Sequence, residues 1–123
     1  MKLGALWLKI QIACGDALAM GPGKADLLEA IITEGSISGA GRALGMSYRR
    51  AWLLVDEMNR CFDPVLVETL KGGGRERGAK VSATGLEVLK AYREMERDAV
   101  KVADRAAYAR LSAHLRAAPL TDD

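Results

Sequence analysis

Between Gly35 and Trp52 the chain has little choice of structure. Gly35 ends an amphipathic segment, and Ser36 follows it where a helix N-cap belongs. Ile37-Ser38-Gly39-Ala40-Gly41-Arg42-Ala43-Leu44 has room for about two turns before Gly45, a residue suited to the positive φ of a tight turn. Ser47 supplies a second N-cap, and the spacing predicts a helix from there to about Arg60. Helices joined by so tight a turn must cross closely. Ala40 and Gly41 are small enough to allow it, and Leu44 is expected to plug the crossing. These pieces build a helix-turn-helix.

The flanking sequence sets this unit in a domain. Leu6, Leu8, Ile10 and Ile12 alternate with Lys9 and Gln11, which predicts a half-buried strand over Leu3–Ile12. Gly21-Pro22-Gly23 breaks it. A helix is expected from about Gly23 to Thr33, with Leu27, Leu28, Ile31 and Ile32 inward and Asp26 complementing the dipole in its first turn. After Asp63-Pro64 the period shortens. Val65-Leu66-Val67 and Ala79-Lys80-Val81-Ser82 flank a glycine-rich basic loop, Lys71 to Gly78, and predict a hairpin. Thr84 is the expected cap of a long final helix, about Gly85 to Leu115. The expected fold is mainly α with a small β-hairpin wing. It is a winged helix-turn-helix with an N-terminal strand and a long C-terminal dimerisation helix, one domain over residues 1–118, with 119–123 as a frayed tail.

Composition closes other routes. The chain has 123 residues, 28% of them charged, and no apolar run long enough to span a membrane. Leu6-Trp7-Leu8 looks superficially like a signal peptide, but Lys9, Gln11 and Asp16 interrupt it and no cleavage site follows, so a cytoplasmic location is expected. Cys14, Cys61 and His114 are scattered, so neither a metal nor a cofactor is expected. Both cysteines are expected to be reduced and mostly buried, and a redox-sensing role has no supporting environment in the sequence. No nucleophile–base set forms around His114, which is expected near the end of the last helix, facing solvent or its dipole. Gly72-Gly73-Gly74 invites a phosphate-loop reading, but the string GxxxxGK[ST] is absent, so a wing tip fits better. An enzyme is not expected.

The net charge of +2 hides a division along the chain. Residues 1–41 carry three bases against four acids, residues 42–80 eight against five, and residues 81–123 seven against seven. The positive excess lies on the helix-turn-helix and the wing. At 100° per residue, Ala51, Leu54, Val55, Met58 and Phe62 face inward on the third helix. Arg49, Leu53, Asp56 and Arg60 face outward, with Arg50 at one edge and Tyr48 and Trp52 towards the other. Such a first turn reaches base edges and phosphates in a major groove. Tyr48, Arg49 and Arg50 are expected to read bases. Ser38, Arg42 and Ser47 are expected to position phosphates, as are Lys71, Arg75, Arg77 and Lys80 of the wing. Backbone N–H groups at the helix starts after Ser36 and Ser47 favour a phosphate too. Tyr48 and Trp52 either pack at the crossing or touch DNA.

On the last helix Leu86, Leu89, Tyr92, Met95, Ala99, Val100, Ala103, Ala106, Ala107 and Leu111 make a stripe wider than one neighbour needs. Packing within one subunit would use part of it; a dimer seam is favoured for the rest.

Several motifs carry a resemblance. Gly35-Ser36-Ile37-Ser38, Gly45-Met46-Ser47-Tyr48-Arg49-Arg50-Ala51-Trp52, Glu57-Met58-Asn59, Leu66-Val67-Glu68, Gly72-Gly73-Gly74 and the segment after Thr84-Gly85 are the pieces. Through them, and the opening strand, residues 3–98 resemble the N-terminal DNA-binding domain of the ModE family of molybdate-responsive bacterial regulators, related to the LysR-type winged helix. The resemblance implies a homodimer made through the long helix and the N-terminal strand region, Leu6 included. It also implies a palindromic operator on double-stranded DNA and a link to molybdate metabolism. The paired β-barrel domains that bind molybdate in that family have no counterpart in the sequence, so molybdate binding is not expected of this chain. A protein-interaction or RNA-binding adaptor, with no operator specificity, is the alternative reading of the same fold.

Overall fold

The structure is a computed structural model, and it describes residues 1–70 and 78–121. Four short strands open it: β1 Lys2–Leu3, β2 Leu6–Trp7, β3 Ile12–Cys14 and β4 Ala17–Met20. Then come α1 Pro22–Glu34, α2 Ile37–Ala43, α3 Tyr48–Cys61, β5 Val67–Thr69, β6 Ala79–Val81 and α4 Ala83–Ala99. A 3-10 turn, Val100–Asp104, and α5 Ala106–Ser112 follow. The pairs β1–β2, β3–β4 and β5–β6 are each antiparallel. The mainly helical winged helix-turn-helix is thus observed.

The opening segment is two hairpins rather than one strand. Gly4 (φ 62°) and Gly15 (φ 58°) turn the chain, each in a two-residue loop whose second residue keeps negative φ, the pattern of a type II′ turn. The expected alternation survives in burial: Leu6, Leu8, Ile10 and Ile12 are half-buried while Trp7, Lys9 and Gln11 are exposed.

The core gathers Met20, Leu27, Leu28, Ile31, Met58 and Leu66, all essentially inaccessible, from β4, α1, α3 and the start of the wing. Each such side chain contributes on the order of 2 kcal/mol by leaving water. Ile32 lies outside this cluster, half exposed. α1 starts at Pro22, so Asp26 falls beyond the first turn and serves another purpose. Its carboxylate accepts from Arg93 Nη2 of α4 at 2.8 Å. Arg93 also donates to Glu29 and, at 2.8 Å, to Glu96, which fastens α4 to α1.

α4 is capped by Ser82, whose hydroxyl accepts from Gly85 N at 3.0 Å; Thr84 lies inside the first turn. The expected single long helix is broken. After Ala99 the chain tightens to 3-10, and Arg105 (ψ 145°) is extended before α5. Neither of these last two elements has a buried residue. Without core contacts, β-branched Val100 and Val102 disfavour continuing the α-helix.

Candidate nucleic-acid interface

The helix-turn-helix is built from its caps. Gly35 ends α1 in the left-handed region (φ 75°). Ser36 Oγ accepts from Gly39 N at 2.9 Å, which starts α2. Gly45 (φ 69°) makes the turn, and Ser47 Oγ accepts from Arg50 N at 3.1 Å, which starts α3. The crossing is close at Gly41, where a Cβ would lie 3.2 Å from Met46 O and 3.3 Å from Ala51 Cβ. Leu44 does not plug it. It is 39% exposed, and Met46 packs against the core instead.

α3 presents its faces much as the periodicity indicates. Ala51, Val55 and Met58 are buried, and Leu54 and Phe62 pack partly against the core. Arg49, Arg50, Trp52 and Leu53 are exposed on its first two turns. Tyr48 is half-buried against the core, so the first turn offers guanidinium groups more than a phenol. Arg60 is exposed two turns further on, within 3.7 Å of Asp56.

Ser38 differs from its expected role. It is buried, and its hydroxyl accepts from Arg42 Nη1 at 2.8 Å. It holds Arg42 rather than facing a phosphate. The Ser36 hydroxyl makes the α2 cap, as expected.

The wing root abuts this unit. Ala79 N donates to Gly35 O at 2.9 Å, and Ser36 bridges to Gly78. Lys80 is exposed on β6, opposite Glu68. Lys71, Arg75 and Arg77, with Gly72 to Gly74, lie outside the described residues.

The Glu57-Met58-Asn59 motif explains how α3 is held. Glu57 Oε1 accepts from the buried Lys24 Nζ of α1 at 2.6 Å, and Met58 fills the core. Asn59 donates to Val67 O and accepts from the N–H groups of Leu66 and Val67. One turn of α3 therefore fixes α1, the core and the wing together.

These details meet in comparisons with known proteins. No family model matches the chain. It is 39% identical over 70 residues to the molybdenum-pterin-binding protein MopA of Rhodobacter capsulatus, a match covering 57% of this chain and 26% of that protein. It is 34% identical over 87 residues to the DNA-binding transcriptional dual regulator ModE of Escherichia coli K12, covering 71% of this chain and 32% of that one. The chain carries a ModE-like winged-helix domain. Its fold is also that of CbnR in the CbnR DBD–DNA complex, with a TM-score of 0.54 and 21% identity over 71% of this chain and 94% of that one. The chain spans about a quarter to a third of the length of the curated relatives it matches.

The residues expected to pair two ModE-like domains separate into two sets. Leu89 and Tyr92 are spent on the chain's own core, and Tyr92 Oη donates to Ile10 O at 2.8 Å. They face inward because α4 must cover α1 and the opening segment, which leaves little of either at the surface. Leu86, Met95 and Ala106 are exposed, while Leu6, Ala99 and Ala103 are half-buried. Leu86 and Met95, nine residues apart, lie on opposite sides of α4 at 100° per residue. A single straight stripe is thus not present.

The cysteines also depart from expectation. Cys14 is exposed and Cys61 half-buried, and both line one pocket of about 400 Å³ between the β3–β4 hairpin and α3. Sequence spacing holds no signal for this, because the two are brought together only by the fold. Among the described residues no group of three or more His, Cys, Asp and Glu is placed to hold a metal, and no helix is long and apolar enough to cross a membrane.

Proposed function

We propose that this chain is the DNA-binding module of a transcriptional regulator, acting as a homodimer on a palindromic operator. The observation that carries the reading is the exposed pair Arg49 and Arg50 on the first turn of a capped α3, itself set at a close helix crossing. Side chains there enter a major groove, where arginine recognises guanine O6 and N7. Arg42, held by Ser38, and Lys80 of the wing root supply phosphate contacts, with Ser47, Trp52 and Leu53 flanking. Lys71, Arg75 and Arg77 add three more bases to the wing sequence. Pairing uses apolar side chains left outside the core near the end of α4 and beyond it, Met95, Ala99, Ala103 and Ala106, with Leu6 of the opening hairpin; Leu86, on the other side of α4, takes no part. The name of one relative, the molybdenum-pterin-binding protein MopA, supports a link between the regulated genes and molybdenum handling.

Capture of fragmented genomic DNA at low salt, with the retained fragments sequenced, tests this. The expected motif is palindromic, with half-sites about 10 base pairs apart or a multiple of that. Retention of no fragment would move the reading to a protein-binding or RNA-binding adaptor. Sedimentation of the free chain as a monomer at all concentrations would overturn the homodimer.

A further inference from the structure

We propose that Cys14 and Cys61 form a dithiol that a peroxide closes to an intramolecular disulfide, clamping the β3–β4 hairpin onto the last turn of α3. Both thiols are free and face one pocket, which Ala17, Arg50 and Arg60 also line. Cys14 pairs across its hairpin with Ala17, a side chain too small to screen it. Cys14 lies close enough to Cys61 to perturb its thiol. Burial, and next the neighbouring Cys14 thiol, hold the Cys61 pKa above its ordinary value. Cys61 therefore stays protonated near neutral pH, and the exposed Cys14 is the thiol an oxidant meets first.

The chemistry balances with a hydroperoxide as the oxidant. The Cys14 sulfur takes one oxygen as the O–O bond breaks, giving a sulfenic acid and, from hydrogen peroxide, one water. The Cys61 sulfur then attacks the Cys14 sulfur. The S–S bond forms, the S–O bond breaks, and the departing hydroxide takes the Cys61 proton as a second water. The two thiols together lose two electrons, and the peroxide gains them. Clamping two segments so far apart in sequence restricts the unfolded chain, and the folded form gains stability.

The test treats the reduced full chain with stoichiometric hydrogen peroxide and digests it without reductant. A linked pair of peptides carrying Cys14 and Cys61 is expected, with loss of both titratable thiols and a Tm raised by on the order of 10 °C. Dithiothreitol should reverse all three changes. Cys14→Ser and Cys61→Ser should each abolish the linked pair and the Tm rise, which separates the clamp from methionine oxidation. Thiols that persist, a disulfide between two chains, or sulfinic acid on both residues in place of the link would overturn the proposal.

Discussion

Asn59 grips Val67 from both sides: its amide donates to Val67 O at 2.9 Å and its carbonyl oxygen accepts from Val67 N at 3.1 Å. The same oxygen accepts from Leu66 N at 3.0 Å. One side chain near the end of α3 thus sets the first residue of the wing. Asn59→Ala should cost on the order of 3 kcal/mol in urea unfolding, because two buried residues lose backbone partners. Asn59→Asp should recover part of that loss, since it keeps the acceptor but loses the donor.

The wing root and α4 meet at Gly85. A Cβ there would stand 2.4 Å from Leu66 O and 2.6 Å from Val81 Cγ1, one contact being rigid backbone. Gly85→Ala should destabilise the fold by about 3 kcal/mol, despite alanine's better helix propensity. A thermal melt at or above that of the parent chain would show that α4 can shift to make room.

The Lys24–Glu57 ion pair is lopsided. The Lys24 side chain is 8% exposed and that of Glu57 42%. Removing the carboxylate strands a buried ammonium, whereas removing the ammonium leaves a carboxylate that water can reach. Glu57→Gln should therefore cost on the order of 2–3 kcal/mol, and Lys24→Met about 1 kcal/mol or less. Equal losses in parallel denaturant titrations would contradict this.

Tyr92 gives the fold an alkaline limit. Burial, reinforced by Glu96, raises its pKa above the ordinary phenol value. Below the unfolded pKa of about 10 its contribution is fully present, and it is lost as pH rises through the higher folded value. Near neutral pH, Tyr92→Phe should cost about 1 kcal/mol through the lost bond to Ile10 O. Melts between pH 8 and pH 12 should show that gap to the parent chain narrowing as Tyr92 ionises.

What was legible in the sequence was local. Ser36, Ser47, Gly35 and Gly45 act within a few residues of themselves, so their caps and turns could be read directly. The inward face of α3 followed from its period. Gly4 and Gly15 carried an equally local hairpin signal, hidden by the unbroken alternation of the apolar residues around them. Competition between neighbours was harder to read: Ser82 and Thr84 both offer a hydroxyl, and only the observed start of α4 selects Ser82. Long-range pairs were not legible. Lys24–Glu57, Tyr92–Ile10 and the shared pocket of Cys14 and Cys61 join segments whose spacing carries no trace of the contact. The expected seam suffered similarly, since an apolar stripe does not show which part the chain's own core will take.

The first turn of α3 is proposed to meet DNA bases. An anisotropy titration of a duplex recovered by genomic capture, over several salt concentrations, tests this. Arg49→Ala and Arg50→Ala should each weaken binding about tenfold or more. Lys90→Ala, at an exposed position of α4, should leave it unchanged. Affinity of the parent chain should fall steeply with salt. If both arginine variants bound that duplex as tightly as the parent chain, the first turn of α3 would not meet the bases and the interface would lie elsewhere.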